Sequence, residues 1–151
     1  MALAGKLVSE VKINVAAEKY YKIWKHEVSH VPKICPKYIQ KVEVHEGDWD
    51  SHGHGSVKIW HYSIDGKAGF FKERVEFDDK NMAMLLVGLD GDMFEHYKSF
   101  KATYKVVPKG PNHCLVVMIL KYEKLRADCP SPYKYIDLMN DLTKSLESYL
   151  Q

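Results

Sequence analysis

The sequence predicts an α+β fold in one domain, residues 1–151, in which a single long helix lies on a seven-stranded antiparallel sheet. Three observations lead there. The segment Ser131 to Leu150 carries apolar residues at helical spacing (Tyr135, Leu138, Met139, Leu142, Leu146, Tyr149 and Leu150), with Lys134, Asp137, Asp141, Lys144 and Ser148 on the opposite face. Between Tyr38 and Glu123 the pattern is instead a series of alternating runs separated by turn residues. An amphipathic helix of about 30 Å also needs a broad apolar surface to lie on, which a sheet offers and a short partner helix does not.

In chain order, Leu7 to Val15 alternates as a half-buried strand, with Leu7, Val11, Ile13 and Val15 facing in and Ser9 as the polar residue among them. Ala16 to His26 places Tyr20, Ile23 and Trp24 at i, i+3, i+4, which makes a short helix. A second, ending near Lys33-Ile34-Cys35-Pro36, is held to a few turns by Pro32 and Pro36, so the pair forms a V of small helices. The remaining strands form a meander. Tyr38 to His45 turns Tyr38, Val42 and Val44 to one face, and Glu46 to Gly55 is the loop after it. Val57 to Ser63 leads into Phe70 to Phe77 through Asp65-Gly66, residues that accept positive φ in a tight hairpin. Asp78-Asp79-Lys80-Asn81 and Asp90-Gly91-Asp92 turn the chain on either side of Met82 to Leu89. Lys98 to Val107 faces Phe100, Ala102, Tyr104 and Val106 inward, and Pro108 to Asn112 breaks it. Cys114 to Glu123 ends the sheet with Val116, Met118, Leu120 and Tyr122 on one face. Ser131 is placed to cap the final helix and Pro132 to take its first position, where a missing N–H costs nothing.

Composition narrows the function classes. A hydrophobic content of 46% is enough for a self-sufficient core, and a net charge of +2 with scattered Lys and Arg offers no basic stripe for nucleic acid. The start, Met1-Ala2-Leu3-Ala4-Gly5-Lys6, meets a charge before any signal-length apolar run, and no stretch approaches a membrane span, so a cytoplasmic protein without membrane insertion is expected. Cys35, Cys114 and Cys129 are odd in number and widely spaced, which reads as reduced thiols.

Short motifs then follow one another in order: Leu3-Ala4-Gly5-Lys6-Leu7, Val31-Pro32-Lys33, His45-Glu46-Gly47-Asp48, Gly55-Ser56-Val57, Tyr62-Ser63-Ile64-Asp65-Gly66-Lys67, Lys72-Glu73-Arg74-Val75, Gly91-Asp92-Met93, Tyr97-Lys98-Ser99-Phe100 and Tyr122-Glu123-Lys124. Together they resemble the major latex protein family, a branch of the birch-pollen-allergen and plant pathogenesis-related superfamily, over the whole chain. The resemblance implies a helix-grip fold, in which a curved sheet wraps around the long helix and leaves a large apolar cavity. It implies a monomer that binds a hydrophobic plant metabolite there, for carriage, storage or presentation and in the setting of defence. The alternative it carries is an enzyme of specialised metabolism that cyclises or isomerises a reactive terpenoid or alkaloid intermediate in the same space. No cofactor is expected in either case.

Under that resemblance the expected ligand-binding residues are Trp24, Lys58, Trp60, Tyr62, Phe70, Met84, Leu86, Phe100, Tyr104, Met118, Leu120, Tyr135, Met139 and Leu142, the methionines letting the pocket reshape around varied ligands. In Lys58-Ile59-Trp60-His61-Tyr62 periodicity leaves the inner face open, and the resemblance turns Lys58, Trp60 and Tyr62 inward. Glu73 shares a strand face with Phe71, Val75 and Phe77, a carboxylate in an apolar row. On a solvated face it is ordinary. On an inner face burial raises its pKa unless Lys58 or another cation pairs with it, and Glu73 with Lys58 becomes the catalytic pair of the enzyme alternative. The glycine-rich loop Glu46 to Gly55 lacks the Lys-Ser/Thr pair at a helix start that a phosphate loop requires. His52 and His54 beside Asp48 and Asp50 have no fixed geometry, so no metal site is expected. His26, His30, His61 and His96 sit at element ends or solvent faces, and no nucleophilic triad is recognisable.

Overall fold

The computed structural model describes residues 3–47 and 55–151. Its elements are β1 (Ala4–Ile13), α1 (Ala17–His26), α2 (Val31–Ile34) after a 3-10 turn at Val28–His30, β2 (Ile39–Glu46), β3 (Val57–Ile64), β4 (Lys67–Asp78), β5 (Ala83–Gly91), β6 (Tyr97–Gly110), β7 (His113–Lys124) and α3 (Tyr133–Leu150). The seven strands form one curved, open antiparallel sheet in the order β1-β7-β6-β5-β4-β3-β2. Consecutive strands from β2 to β7 are neighbours, β1 returns to pair with β7, and the short helices carry the chain from one sheet edge to the other. The Asp65-Gly66 hairpin takes positive φ at both residues, 52° and 78°.

Alternation sets the core. Phe100, Ala102, Tyr104 and Val106 of β6 and Val116, Met118 and Leu120 of β7 are buried under α3, while Lys101 and Lys105 face out. Ser9, the polar residue on the inner face of β1, donates to Asn140 Oδ1 of α3 at 2.7 Å. The Tyr20 and Thr143 hydroxyls share a hydrogen bond of 2.8 Å, and the Asn14 N–H donates to Glu147 Oε2 at 2.7 Å. The buried stripe of α3 is therefore not purely apolar: it holds Tyr135, Ile136, Met139, Leu142, Thr143, Leu146 and Glu147. Tyr149, expected within it, is 56% exposed. Bonds to Tyr20 of α1 and to Asn14, just after β1, offset the desolvation of Thr143 and Glu147.

Other expectations shift by a residue or two. Pro132, not Ser131, holds the cap position of α3, with no side-chain cap; the Tyr135 and Ile136 N–H groups bond the Pro132 carbonyl at 3.2 and 3.3 Å. In β2 the buried residues are Ile39 and Val42, because an irregularity between Ile39 and Lys41 shifts the alternation and leaves Tyr38 half-buried. Pro108 continues β6 instead of breaking it. Pairing with β5 ends at Lys105, and the Val106 N–H reaches the Met82 carbonyl, so the donor missing at Pro108, on the same side, would face an open edge.

Candidate functional site

An apolar cavity lies between α3 and the concave face of the sheet. Strand alternation brings Trp60 and Tyr62 of β3, Phe71 of β4, Leu86 of β5, Phe100, Ala102 and Tyr104 of β6 and Leu120 of β7 to its wall. Ile39 of β2, Trp24 of α1, Met93 of the 3-10 turn after β5, and Tyr135, Leu138, Met139 and Leu142 of α3 close it. The cavity offers about 80 Å³ and is partly open to solvent. That holds a few water molecules, whereas metabolite-sized ligands occupy sites of several hundred Å³. The large cavity expected from the sequence is therefore mostly filled by its own aromatic wall. The Trp24 ring packs 4.8 Å from Tyr104 and 5.9 Å from Trp60, and Phe100 packs 5.3 Å from Tyr135.

Of the residues expected at this wall, Trp24, Trp60, Tyr62, Leu86, Phe100, Tyr104, Leu120, Tyr135, Met139 and Leu142 stand there. Lys58, Met84 and Met118 are buried but do not reach it. Phe70 points the other way and is 38% exposed; Phe71, paired with Trp60 across β3 and β4, takes its place. Strand parity would have found this, since Phe71 shares a face with Glu73. Ala102 and Leu138 were legible as inward residues, whereas Ile39 was hidden by the β2 irregularity and Met93 by a 3-10 turn with no sequence period.

Two carboxyl groups adjoin the β3 wall. Glu73 is 1% exposed, directly across from Lys58 in the β3–β4 register. Trp60 Nε1–H donates to its Oε1 at 2.7 Å, and its Oε2 has no hydrogen-bond partner among the described residues. Burial pushes its pKa up to about 7; the Trp60 bond and the Lys58 charge oppose this and are the smaller effects. The Lys58 Nζ donates to Ser56 Oγ at 2.8 Å.

On the other side of Trp60, half-buried Asp92 accepts three hydrogen bonds. Tyr62 Oη donates to Oδ1 at 2.5 Å, the Phe70 N–H to the same oxygen at 3.0 Å, and Tyr135 Oη to Oδ2 at 2.9 Å. Burial first, and then the neighbouring Asp92, hold both phenols well above the ordinary tyrosine range. Gly69 makes the room: a Cβ there would lie 2.5 Å from Asp92 Oδ1. Sequence reasoning missed Asp92 as a site residue because it reads as turn chemistry.

Among the described residues no group of three or more His, Cys, Asp or Glu comes together as metal ligands; Asp48, Trp49, Asp50, His52 and His54 lie outside the described residues. Among the described residues no helix is long and apolar enough to cross a membrane.

The sequence profile of the pathogenesis-related protein Bet v 1 family matches residues 2–151. MLP-like protein 328 of Arabidopsis thaliana is 37% identical over 150 residues, which cover 99% of this chain and 98% of that one. The crystal structure of major latex-like protein 151 from Panax ginseng superposes with a TM-score of 0.93 at 32% identity, covering 99% of both chains. Norcoclaurine synthase from Thalictrum flavum, in complex with dopamine and hydroxybenzaldehyde, shares the fold with a TM-score of 0.75 at 16% identity, over 98% of this chain and 88% of that one. A seven-stranded sheet gripping one long helix, together with these matches over the whole length, shows that the chain belongs to the Bet v 1 family, in its major latex protein branch.

Proposed function

We propose that this protein binds a hydrophobic plant metabolite in the cavity under α3, as a monomeric cytoplasmic carrier, store or presenter. The observation that carries the reading is a wall built almost wholly of aromatic and aliphatic side chains on every side of one internal space, in a family whose fold suits ligand binding. Because the cavity offers only about 80 Å³, a metabolite-sized ligand enters by moving the wall. Unbranched Met93 and Met139 and the half-buried Leu138 are the residues best able to give way. The test is titration with an apolar fluorescent dye, followed by competition with a plant metabolite extract and identification of what co-purifies. Trp60→Ala, which removes the centre of the wall, should weaken dye binding about tenfold or more. Dye binding no stronger than to a cavity-free protein of the same size would end this reading.

The second reading, an enzyme that cyclises or isomerises a reactive intermediate in the same cavity, draws on Glu73. Glu73 stands behind Trp60 and does not itself line the cavity; with a pKa near 7, an oxygen that no described residue bonds and Lys58 across the strand pair, it is suited to take or give a proton once the wall opens to a substrate. Turnover of the recovered metabolite, followed by mass spectrometry and abolished by Glu73→Gln without loss of binding, would support it. Unchanged turnover in that variant would reduce Glu73 to a structural residue.

A further inference from the structure

We propose that Tyr62, Asp92 and Tyr135 form an acceptor-only subsite at one end of the cavity, selecting apolar ligands that carry a hydroxyl over those that carry a carbonyl or a carboxylate. The inference rests on the cavity binding proposed above and names the ligand class.

A phenol has one proton to donate. Tyr62 and Tyr135 both stand at the cavity wall, and both give that proton to Asp92, one to each carboxyl oxygen. What the pair can offer a ligand is lone pairs. The two rings, with centroids 6.3 Å apart, converge through their hydroxyls on one carboxyl group, so a ligand hydroxyl that reaches this end of the cavity can donate to either oxygen. Donation to a carboxylate polarises each phenol and makes its oxygen a better acceptor. A ligand carbonyl finds no proton at this end, and a ligand carboxylate meets the Asp92 charge as well.

The clasp is held from behind. The Phe70 N–H fixes Oδ1 at 3.0 Å, and the absent side chain of Gly69 leaves the space that Asp92 fills. The other polar groups of the wall do not share this arrangement. The Trp60 N–H is given to Glu73. Tyr104 and Trp24 both lie by Tyr20 of α1.

The test is a matched set of probes on one frame, namely naphthalene, 2-naphthol, 2-acetonaphthone and 2-naphthoate, measured by dye displacement on the full chain. 2-Naphthol should bind about threefold to tenfold more tightly than naphthalene, the range one net hydrogen bond supplies. The ketone should gain nothing over naphthalene, and the carboxylate should bind more weakly than either. In Tyr62→Phe/Tyr135→Phe the ratio of naphthol to naphthalene affinity should fall to about one, whatever the change in naphthalene binding itself. The isosteric Asp92→Asn gives an independent reading: its amide donates to one phenol, which then turns its own proton to the cavity, so 2-acetonaphthone should overtake naphthalene. Equal affinity for naphthol and naphthalene, or a naphthol advantage that survives in the double variant, overturns the subsite while leaving cavity binding in place. Failure of all four probes to displace the dye removes the cavity reading and the subsite with it.

Discussion

Glu73 and Asp92 flank the same stretch of β3, yet among the described residues Glu73 receives one hydrogen bond, from Trp60, and keeps a bare oxygen, whereas Asp92 receives three, from Tyr62, Tyr135 and the Phe70 N–H. Both are tied to residues that line the cavity. The difference lies in what each does for the fold. Asp92 joins α3 to β3 and β4, so its oxygens serve as connectors. Glu73 joins β4 only to its neighbour β3, and a single donor does not offset its near-complete desolvation. A carboxyl placed beside an apolar cavity is thus defined by how many donors reach it.

The largest effect that would break this comparison is the pH dependence of Glu73. Its pKa rises from 4.5 to about 7 on folding, so the native state holds a proton that the unfolded chain has lost. Stability contributed at this site therefore falls as pH rises from 4.5 to 7 and levels off above that. The full loss is about 3 kcal/mol. Glu73→Gln keeps the acceptor for Trp60 and has no charge to bury. It should match the parent near pH 4 and exceed it by about 3 kcal/mol at pH 8 in chemical denaturation. A stability difference that does not change with pH would show that burial is not what governs Glu73.

Gly69→Ala acts on the other carboxyl. The added methyl would lie 2.5 Å from Asp92 Oδ1 and 3.0 Å from the Tyr62 ring, so Asp92 must leave its donors. A loss of about 2 kcal/mol is expected, with the pH dependence of stability unchanged. If the variant altered that pH dependence, the two carboxyls would be coupled and the comparison would need redrawing. The smallest effect belongs to Tyr135→Phe, which removes one connector bond and should cost about 1 kcal/mol, measured by the shift in denaturation midpoint. A cost above that of Gly69→Ala would mean that α3 hangs chiefly on this one hydroxyl.

Much of this protein was legible before any coordinate. The period of α3, the alternation of β6 and β7 and the Asp65-Gly66 hairpin are local properties of the backbone, so residues such as Tyr104, Leu120 and Met139 could be assigned inward from their neighbours alone. The anomaly at Glu73 was visible as a carboxylate in an apolar row, and its inward direction followed from the family resemblance. Ser9 was visible too, but its partner Asn140 was not, since the two are 131 positions apart.

The order and type of the elements and the burial of most of their faces are written in the chain itself, because two-residue and 3.6-residue periods are fixed within a few residues of each position. That Ile39 replaces Tyr38, that Phe71 and not Phe70 meets the cavity, and that the aromatic wall narrows the space to about 80 Å³ came from the packing of distant elements. It alone placed one carboxyl among three donors and left the other with a single one. Those outcomes depend on a strand irregularity, on side-chain packing across elements and on where β3, the turn after β5 and the start of α3 converge. No local period encodes such a meeting, because the residues that share it are brought together only by the closing of the whole sheet around the helix.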